Sequence, residues 1–573
     1  MIVGLYVLCF RIQGKPGWLA SLILTALIFA APLAYKWLSG YSDAAVIGSF
    51  IPYKDGFYYY NGARTLLIGR SISNGWNDVF RPLFPGLLAS SLFLTGNNLL
   101  LTLSLIVLSM GFGCYMAARQ VKEMFGTWPA ALFMSLMTIF SRRFIGYTWT
   151  ELPSILLGCL AFYLLLRGAK NQKIFDISLG AIVLILALSV RAGAFIILPL
   201  IAIWAGFAFR KKNGFDPKTS VVVTLFMCIA FILANLVVPK LLTAPGSSTF
   251  GNFAYTLYGQ AKGGASWHQA IEDLQTIDTS IIMKESIQLI LRYPMGIIIG
   301  TVKAYRDFFV SDMYGIFDLF QTNSVVEYGL FWITNTGLLV WGIVYCFRSF
   351  KKPIFSLILA CFGGLLFSIP FVPPVGNGNR LYAGSVPFFF VLSAIGLMAI
   401  LTKKNPCIEK SETKGNTAHI FVKVLSIFLL FLILVAPVII NIFGKTPNYI
   451  EAKCSKTQTP FAIQIYQGSF VDIIKNSNPD CGRVPNLCLS DFEKNGIDQT
   501  NDDFFQILLQ KAKTSNNGIR IAESVDLLSS RYYFFIGTPE LLPSIKPQGL
   551  VMGCSTRIEN KFQQALWIDS ILK

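Results

Sequence analysis

The first 443 residues of this 573-residue chain contain eleven apolar segments of about membrane-spanning length. A helix needs about 20 mostly apolar residues to cross a bilayer, and fewer where the bilayer is thin. Charged residues make up only 14% of the chain, whereas an ordinary soluble domain has roughly a quarter. The sequence therefore predicts a polytopic α-helical membrane protein with about 11 transmembrane helices. The expected spans lie near residues 18–38, 98–118, 127–141, 152–167, 174–190, 193–209, 219–239, 329–347, 354–371, 385–402 and 418–443.

The basic residues predict how these helices are oriented. Lys and Arg concentrate in cytoplasmic loops, and here they follow alternate spans when the N-terminus is cytoplasmic. This alternation holds only if residues 82–95 and 294–310 are juxtamembrane or interfacial helices rather than full spans. Residues 1–443 then form the membrane domain. Three long segments lie on the extracytoplasmic side: a first outer loop at 39–97, a large outer loop at 240–328 and a tail at 444–573.

The net charge of +18 lies almost entirely in the membrane domain. The first 443 residues contain 34 Lys and Arg against 17 Asp and Glu, while the tail contains 14 against 13. A basic excess beside spanning helices meets lipid headgroups and other phosphates. We therefore expect membrane lipids among the partners, and no nucleic acid.

The tail differs in character from the rest of the chain. It has strand-like runs at Ile519–Ala522 and Tyr532–Ile536, and an amphipathic helix that begins near Thr500. This pattern predicts an α/β extracytoplasmic domain at 444–573. Four cysteines of an exported domain can form two disulfides with three possible connectivities, all of which the sequence leaves open. These cysteines are Cys454, Cys481, Cys488 and Cys554.

Two acids of the first outer loop are candidates for chemistry, because ionisable groups are costly near a membrane. Asp43 and Asp55 lie in SDAAVIGSFIPYKDGFYYYNGARTLLIGR, and Asp55 opens a run with Tyr58 and Tyr59 at helical spacing. A carboxylate within hydrogen-bond reach can accept the proton of an attacking hydroxyl. Asp55 can equally be the N-cap of a helix, and the two roles are compatible.

Further motifs follow Asp55 in order along the chain. A Tyr-x-x-Ala pattern, a Leu-x-x-Gly pattern and Arg81-Pro82-Leu83 come next, and YTWTELPS then places a second acid at Glu151. ALSVRAGAFIILP places Arg191 between two short spans, and GNRLYAGSVP contains Arg380 and Tyr382 before a late span.

This series resembles the GT-C superfamily of membrane glycosyltransferases, closest in style to its protein mannosyltransferase-like and lipid A aminoarabinose transferase-like branch. The resemblance covers roughly residues 18–402 and leaves the tail unmatched. Many relatives have Asp-Glu where this chain has Asp55-Gly56. The resemblance implies a GT-C-like fold in a bacterial inner membrane.

The resemblance also implies a reaction. A sugar would pass from a polyprenyl phosphate to an acceptor hydroxyl on the extracytoplasmic face, with inversion, the acceptor being a glycolipid, lipopolysaccharide, polysaccharide or protein. Asp55 would be the general base, and Glu151 would position the acceptor or simply pair with Arg142 or Arg143. Candidates for binding the donor phosphate are Arg81, Arg191, Arg380, Lys303 and Arg306. Candidates for contacting substrate are Tyr58, Tyr59, Tyr382 and Asp43.

For Lys303 and Arg306, contact with lipid headgroups is favoured over binding of the donor phosphate. The chain has only two histidines and no CxxC pattern, so we expect no required cofactor, while a divalent-cation site made of Asp and Glu stays open. A transporter or flippase of lipid-linked sugars is the main alternative function. Transporters place ionisable groups near the bilayer midplane, whereas the acids here lie in outer loops. A polysaccharide polymerase and a scaffold that binds a partner through its tail are further alternatives.

Overall fold

The computed structural model describes most of the chain, and every structural statement below concerns the residues it describes. These are residues 1–43, 45–73, 81–209, 214–245, 251–310, 315–317, 325–374, 378–401, 416–466, 468–483, 485–494, 503–542, 549–558 and 565–572. The predicted helix start at Thr500 lies outside them.

The described part of residues 1–443 is mainly helical, and each of the eleven predicted spans coincides with a helix or a pair of helices. The first ten helices are α1 (Ile2–Arg11), α2 (Gly14–Ser39), α3 (Asp55–Leu67), α4 (Leu83–Leu94), α5 (Leu99–Phe125), α6 (Thr127–Ser141), α7 (Glu151–Asn171), α8 (Ile174–Val190), α9 (Ile197–Ala208) and α10 (Pro217–Ile232). The next ten are α11 (Val238–Leu242), α12 (Gly251–Ala261), α13 (His268–Leu274), α14 (Thr279–Arg292), α15 (Pro294–Phe309), α16 (Val325–Arg348), α17 (Pro353–Ser368), α18 (Val386–Leu401), α19 (Asn416–Leu434) and α20 (Ala436–Phe443).

Six helical segments of the described chain are long and apolar enough to cross a membrane, which identifies an integral membrane protein. They are Gly14–Ser39, Leu99–Phe125, Glu151–Asn171, Pro217–Leu242, Val326–Arg348 and Ala418–Phe443. The other five predicted spans are helices of only 12 to 17 residues. The count of eleven crossings therefore stays a prediction, as do the sidedness of the termini and the domain boundary after residue 443.

Two short helices of the large outer loop form a sharply bent pair. α14 and α15 meet at an angle of 104°, and together they are as apolar as a membrane span. Pro294 begins α15, where a proline is tolerated because the first helical N–H has no partner within the helix. This geometry belongs to a broken span or a re-entrant loop, so the interfacial assignment of residues 294–310 also stays a prediction.

A seven-stranded mixed sheet forms the C-terminal domain and confirms the predicted α/β character. The sheet strands are β3 (Thr459–Gln464), β4 (Phe470–Ile474), β5 (Asn486–Cys488), β6 (Ile519–Val525), β7 (Tyr532–Gly537), β8 (Leu550–Ile558) and β9 (Ala565–Ile571). Their order in the sheet is β3-β8-β9-β7-β6-β4-β5. A separate two-stranded hairpin, β1 (Val46–Ile47) and β2 (Ile51–Pro52), precedes α3. The short α21 (Leu489–Phe492) and the amphipathic α22 (Asp503–Thr514) follow β5.

The four cysteines of the tail form two disulfides, as the sequence predicts. Cys454 pairs with Cys554, and Cys481 pairs with Cys488. The first joins the segment before β3 to β8, and the second closes the loop that leads into β5. The structure thereby selects one of the three connectivities.

Helix α3 lies between the two domains and contacts the C-terminal sheet along one face. Phe57 stacks on Phe534 of β7 with ring centroids 4.4 Å apart. Arg64 donates from Nη2 to the carbonyl oxygen of Gln464 at 3.4 Å, and its guanidinium lies 3.1 Å from the centroid of the Tyr466 ring. Phe57 and Arg64 are about two helical turns apart and therefore face the same side.

A buried acid of the C-terminal domain faces the same guanidinium group. Glu523 of β6 is fully buried, and neither of its carboxylate oxygens has a hydrogen-bond partner in the described chain. Burial raises the pKa of Glu523 well above its ordinary value, while the charge of Arg64 lowers it. The folded protein thus keeps a proton that the unfolded chain releases above about pH 4.3, so the contribution of this group to stability falls as the pH rises.

Glu523→Gln should therefore make the protein more stable at neutral pH, because the amide has the size of the carboxyl group and never ionises. The gain in the free energy of unfolding should grow as the pH rises above about pH 5, by up to about 1.4 kcal/mol per pH unit. Denaturation of the purified protein across this range, followed by intrinsic fluorescence, measures the gain. The control is Glu540→Gln at an exposed acid whose pKa is lowered by a hydrogen bond from Asn517, and its effect should not vary with pH in this range. Equal pH dependence of wild type and Glu523→Gln would contradict the prediction.

Candidate functional site

Asp55 is the first residue of α3 and does not cap it. The N-cap position belongs to Lys54, and no side chain makes a cap hydrogen bond there. The carboxylate of Asp55 is instead 52% exposed, and its Oδ2 lies 3.5 Å from Nη2 of Arg380. Its negative charge is also favourable at the helix N-terminus, whose dipole is positive. The N-cap interpretation of Asp55 is therefore wrong, and the side chain is available to solvent and to a ligand.

Glu151, the first residue of α7, lies between two guanidinium groups. Its Oε1 is 3.5 Å from Nη2 of Arg191 and 3.7 Å from Nε of Arg380, and its side chain is 1% exposed. Arg191 also donates from Nη1 to the hydroxyl oxygen of Thr150 at 3.5 Å. Arg143, the neighbour that the sequence offers as a partner, donates instead to the carbonyl oxygen of Gly315. Glu151 therefore faces two distant cations, and among the described residues no ion pair joins it to Arg142 or Arg143.

Two glycines bring α7 against the turn that carries Arg380. A Cβ atom at Gly158 would lie 2.1 Å from the carbonyl oxygen of Gly384, so only a residue without a side chain allows this approach. Arg380 lies in the 3₁₀ turn Gly378–Tyr382, a few residues before Gly384. This close packing holds Glu151 and Arg380 within reach of each other.

Arg380 links the parts of the site. It contacts Asp55 and Glu151, and its guanidinium lies 4.8 Å from the centroid of the Trp149 ring. A guanidinium stacks well on an aromatic face, which fixes the plane of its N–H donors. Trp149 and Thr150 lie within YTWTELPS, but neither was predicted from the sequence to be a site residue. Their position just before Glu151 was the available signal.

Arg81 and Tyr59 complete the cluster. Burial raises the pKa of Tyr59, which also experiences the charges of Arg81, Asp55, Arg191 and Glu151. The phenol therefore stays protonated at neutral pH and can donate a hydrogen bond among these charges. Its ring packs edge-on against Phe84 at the start of α4, 5.2 Å between centroids, just after Arg81.

The cluster has an excess of positive charge and of hydrogen-bond donors. Three guanidinium groups face two carboxylates, which leaves one net positive charge. Nη1 of Arg81 and Nε of Arg191 are buried and have no hydrogen-bond partner in the described chain. Burial lowers the pKa of Arg191 only to about 10, so this group stays charged at neutral pH. Buried cationic donors of this kind favour a phosphate or another anion.

The other predicted substrate contacts take structural positions. Asp43 accepts hydrogen bonds from the backbone N–H groups of Ala45 and Val46, and from the Tyr147 hydroxyl, so it shapes the hairpin before α3. Tyr382 is fully buried and donates to the carbonyl oxygen of Val372 at 2.5 Å, and its role as a substrate contact stays a prediction.

Tyr58 is partly buried and packs edge-on against Phe57 at 5.4 Å, on the side of the C-terminal domain. Lys303 and Arg306 lie on α15, and neither forms a hydrogen bond or ion pair with the cluster in the described chain. Arg306 pairs with its neighbour Asp307, and its side chain is 65% exposed. Lys303 packs beside the backbone of Gly264. These positions agree with the headgroup alternative given above for both cations.

Asp55 faces the guanidinium of Arg380, and Glu151 faces those of Arg191 and Arg380, so the charges beside both carboxylates are positive. In the part of the chain described here, no group of three or more His, Cys, Asp and Glu side chains is placed to hold a metal.

No protein-family model and no curated protein matches this chain. Among solved structures it is similar to the oligosaccharyltransferase of Archaeoglobus fulgidus in complex with Zn and sulfate, with a TM-score of 0.40 and 14% identity over 74% of this chain and 53% of that chain. It is also similar to the archaeal oligosaccharyltransferase AglB of the same organism in complex with an inhibitory peptide and a dolichol-phosphate, with a TM-score of 0.39 and 13% identity over 75% of this chain and 56% of that chain. The chain thus spans little more than half the length of these structures, and similarity at this level carries no conclusion about function.

Proposed function

We propose that this protein is a membrane glycosyltransferase of the GT-C type. It moves a sugar from a polyprenyl-phosphate donor to a hydroxyl of a glycolipid, polysaccharide or protein on the extracytoplasmic face of the membrane. The observation that carries the proposal is a half-exposed carboxylate, Asp55, within 3.5 Å of a guanidinium in a buried cationic cluster. That arrangement joins a proton acceptor to an anion site, which are the two groups that transfer from a lipid phosphate requires.

The reaction is a single displacement. The acceptor hydroxyl oxygen forms a bond to the anomeric carbon while the bond from that carbon to the phosphate oxygen breaks. Asp55 takes the hydroxyl proton, and the lipid phosphate leaves with the electron pair of the broken bond. Attack from the face opposite the leaving group inverts the anomeric configuration.

The arginines stabilise the leaving group. Arg81, Arg191 and Arg380 direct donors and positive charge to the phosphate, whose negative charge increases as it leaves. Glu151 is buried between Arg191 and Arg380 and holds their guanidinium groups in position. Tyr59 donates a hydrogen bond to the donor or the acceptor at the edge of the cluster. No step requires a metal ion.

Mass spectrometry of cell-envelope glycans and glycolipids tests the proposal. A strain that lacks the protein is compared with the same strain that expresses wild type or Asp55→Asn at matched abundance. We expect one glycan to lose a single sugar in the deletion strain, wild type to restore it and Asp55→Asn not to do so. The mass difference then gives the class of sugar.

The same comparison separates the transferase from the flippase alternative. A flippase moves a lipid-linked sugar across the membrane, so its loss should make that lipid accumulate on the cytoplasmic face, and Asp55→Asn should not affect a step without proton abstraction. Restoration of the glycan by Asp55→Asn would reject the transferase.

A further inference from the structure

Helix α3 carries two charged residues on opposite faces, one toward each domain. Asp55 is its first residue, and Arg64 follows nine residues later. Nine residues are about two and a half turns, so the two side chains point to opposite sides and lie about 14 Å apart along the axis. The contacts agree, because Asp55 meets Arg380 of the helical domain and Arg64 meets the C-terminal domain.

The contacts of Arg64 are close and buried. The residue is 4% exposed, its guanidinium lies over the Tyr466 ring, and Nη1 donates to the Tyr60 hydroxyl at 3.1 Å. Nη2 reaches the carbonyl oxygen of Gln464, and the buried acid Glu523 lies within its electrostatic reach. A buried guanidinium is costly unless it is partnered, so the contacts of Nη1, Nη2 and the ring face favour one position for this part of the helix, while Nε has no hydrogen-bond partner in the described chain.

Asp55, in contrast, is held loosely. Its ion pair with Arg380 is long, at 3.5 Å, and its side chain is half exposed. Because a helix moves as a rigid rod over this distance, the position of the Asp55 carboxylate depends on contacts elsewhere along α3. The C-terminal domain supplies them through Arg64 and through Phe57, which stacks on Phe534.

We infer that Arg64 is a positioning residue through which the C-terminal domain holds Asp55 at the distance from the acceptor that proton transfer needs. This inference rests on the proposed function and deepens it, since it assigns a task to a domain that the GT-C resemblance does not cover. Tyr466 supplies the ring on which Arg64 stacks, and Gln464 supplies the carbonyl oxygen that accepts from its Nη2.

Initial rates of the purified full-length protein in lipid vesicles test the inference. The donor is the fraction of polyprenyl-phosphate-linked sugars extracted from host membranes, and it is titrated to saturation. The acceptor is the glycan fraction of the deletion strain. Arg64→Ala should lower the maximal rate about 10- to 100-fold, because a small displacement of a catalytic group costs about that much. The donor concentration for half-maximal rate should change less than about twofold, because the phosphate cluster is intact. Arg64→Lys, which keeps the charge and loses the planar stacking, should recover part of the rate.

Arg70→Ala is the matched control. Arg70 lies just beyond the end of α3 and donates to Leu527 and Ser530 of the same domain, so its loss removes a guanidinium from the same interface. Its rate should stay within about threefold of wild type. Tyr466→Leu, which keeps an apolar side chain but removes the ring beneath Arg64, should lower the rate like Arg64→Ala and decides the question if Arg64→Ala does not fold.

Three results would overturn the inference: a wild-type rate in Arg64→Ala or in its substitute Tyr466→Leu, an equal loss in Arg70→Ala, or a loss that appears only as weaker donor use. The proposed function fails differently. In that case wild type transfers no sugar, or Asp55→Asn transfers it at the wild-type rate, whatever the Arg64 variants do.

Discussion

Asp55→Asn should lower the rate of sugar transfer by about 10²- to 10⁴-fold, the range that a positioned general base contributes. The amide keeps the size of the carboxylate but cannot take the proton of the acceptor hydroxyl. Donor binding should not weaken, because the change removes a negative charge 3.5 Å from Arg380 and leaves the cluster more positive. Rates and donor half-saturation, measured with the extracted polyprenyl-phosphate fraction, separate the two effects.

Asp43→Asn is the matched control for this result. It makes the same chemical change twelve residues earlier in the same loop, at an acid whose oxygens accept hydrogen bonds from backbone N–H groups. An asparagine side-chain oxygen can accept these bonds as well. The rate should stay within about threefold of wild type. If the two variants lose activity equally, the loss comes from disturbing this loop, and Asp55 is not the base.

Arg380→Ala should lower the rate at limiting donor by about 100-fold. Charge-assisted hydrogen bonds are worth about 1.5–3 kcal/mol, and a loss of about 2.7 kcal/mol corresponds to that factor. The donor concentration for half-maximal rate should rise more than that of the acceptor, because the proposed function places this side chain against the donor phosphate. Arg380→Lys should recover only part of the loss, since an ammonium group keeps the charge but not the planar fork stacked on Trp149.

Arg306→Ala provides the comparison for Arg380. It also removes an arginine, but from the exposed face of α15, where the side chain pairs with the adjacent Asp307. An exposed pair of this kind contributes little, so transfer should be unchanged within about twofold. A rise in donor half-saturation for Arg306→Ala that equals the rise for Arg380→Ala would move the phosphate site away from the cluster.

The sequence by itself located the long apolar helices and the change to an α/β pattern in the tail. Membrane-length apolar runs leave little choice of structure, because an unpaired backbone group in lipid costs several kcal/mol and a helix satisfies all of them locally. For the same reason residues 174–190 match α8 without error at either end. The strand-like runs at Ile519–Ala522 and Tyr532–Ile536 likewise located β6 and β7, and the four cysteines of the tail predicted two disulfides.

The sequence also selected most of the ionisable residues that the structure brings together in the cluster, because ionisable side chains beside apolar spans are few. It did not identify their partners. Glu151 has a close basic neighbour in sequence at Arg143, yet its partners are Arg191 and Arg380, which lie 40 and 229 residues later. The close contact between Gly158 and Gly384 brings Glu151 near Arg380. This contact depends on how two helices and a turn pack, which the local sequence pattern does not show.

Tertiary structure alone decided the surroundings of the proposed base. Helical periodicity places Asp55 and Arg64 on opposite faces of α3 once the helix is known, but only the packing of the C-terminal sheet against one face shows what Arg64 contacts. Local pattern likewise does not show that Tyr382 is completely buried. The physical reason is the same in each case: burial and pairing depend on contacts between residues far apart in the chain, whereas propensity and periodicity describe only neighbours.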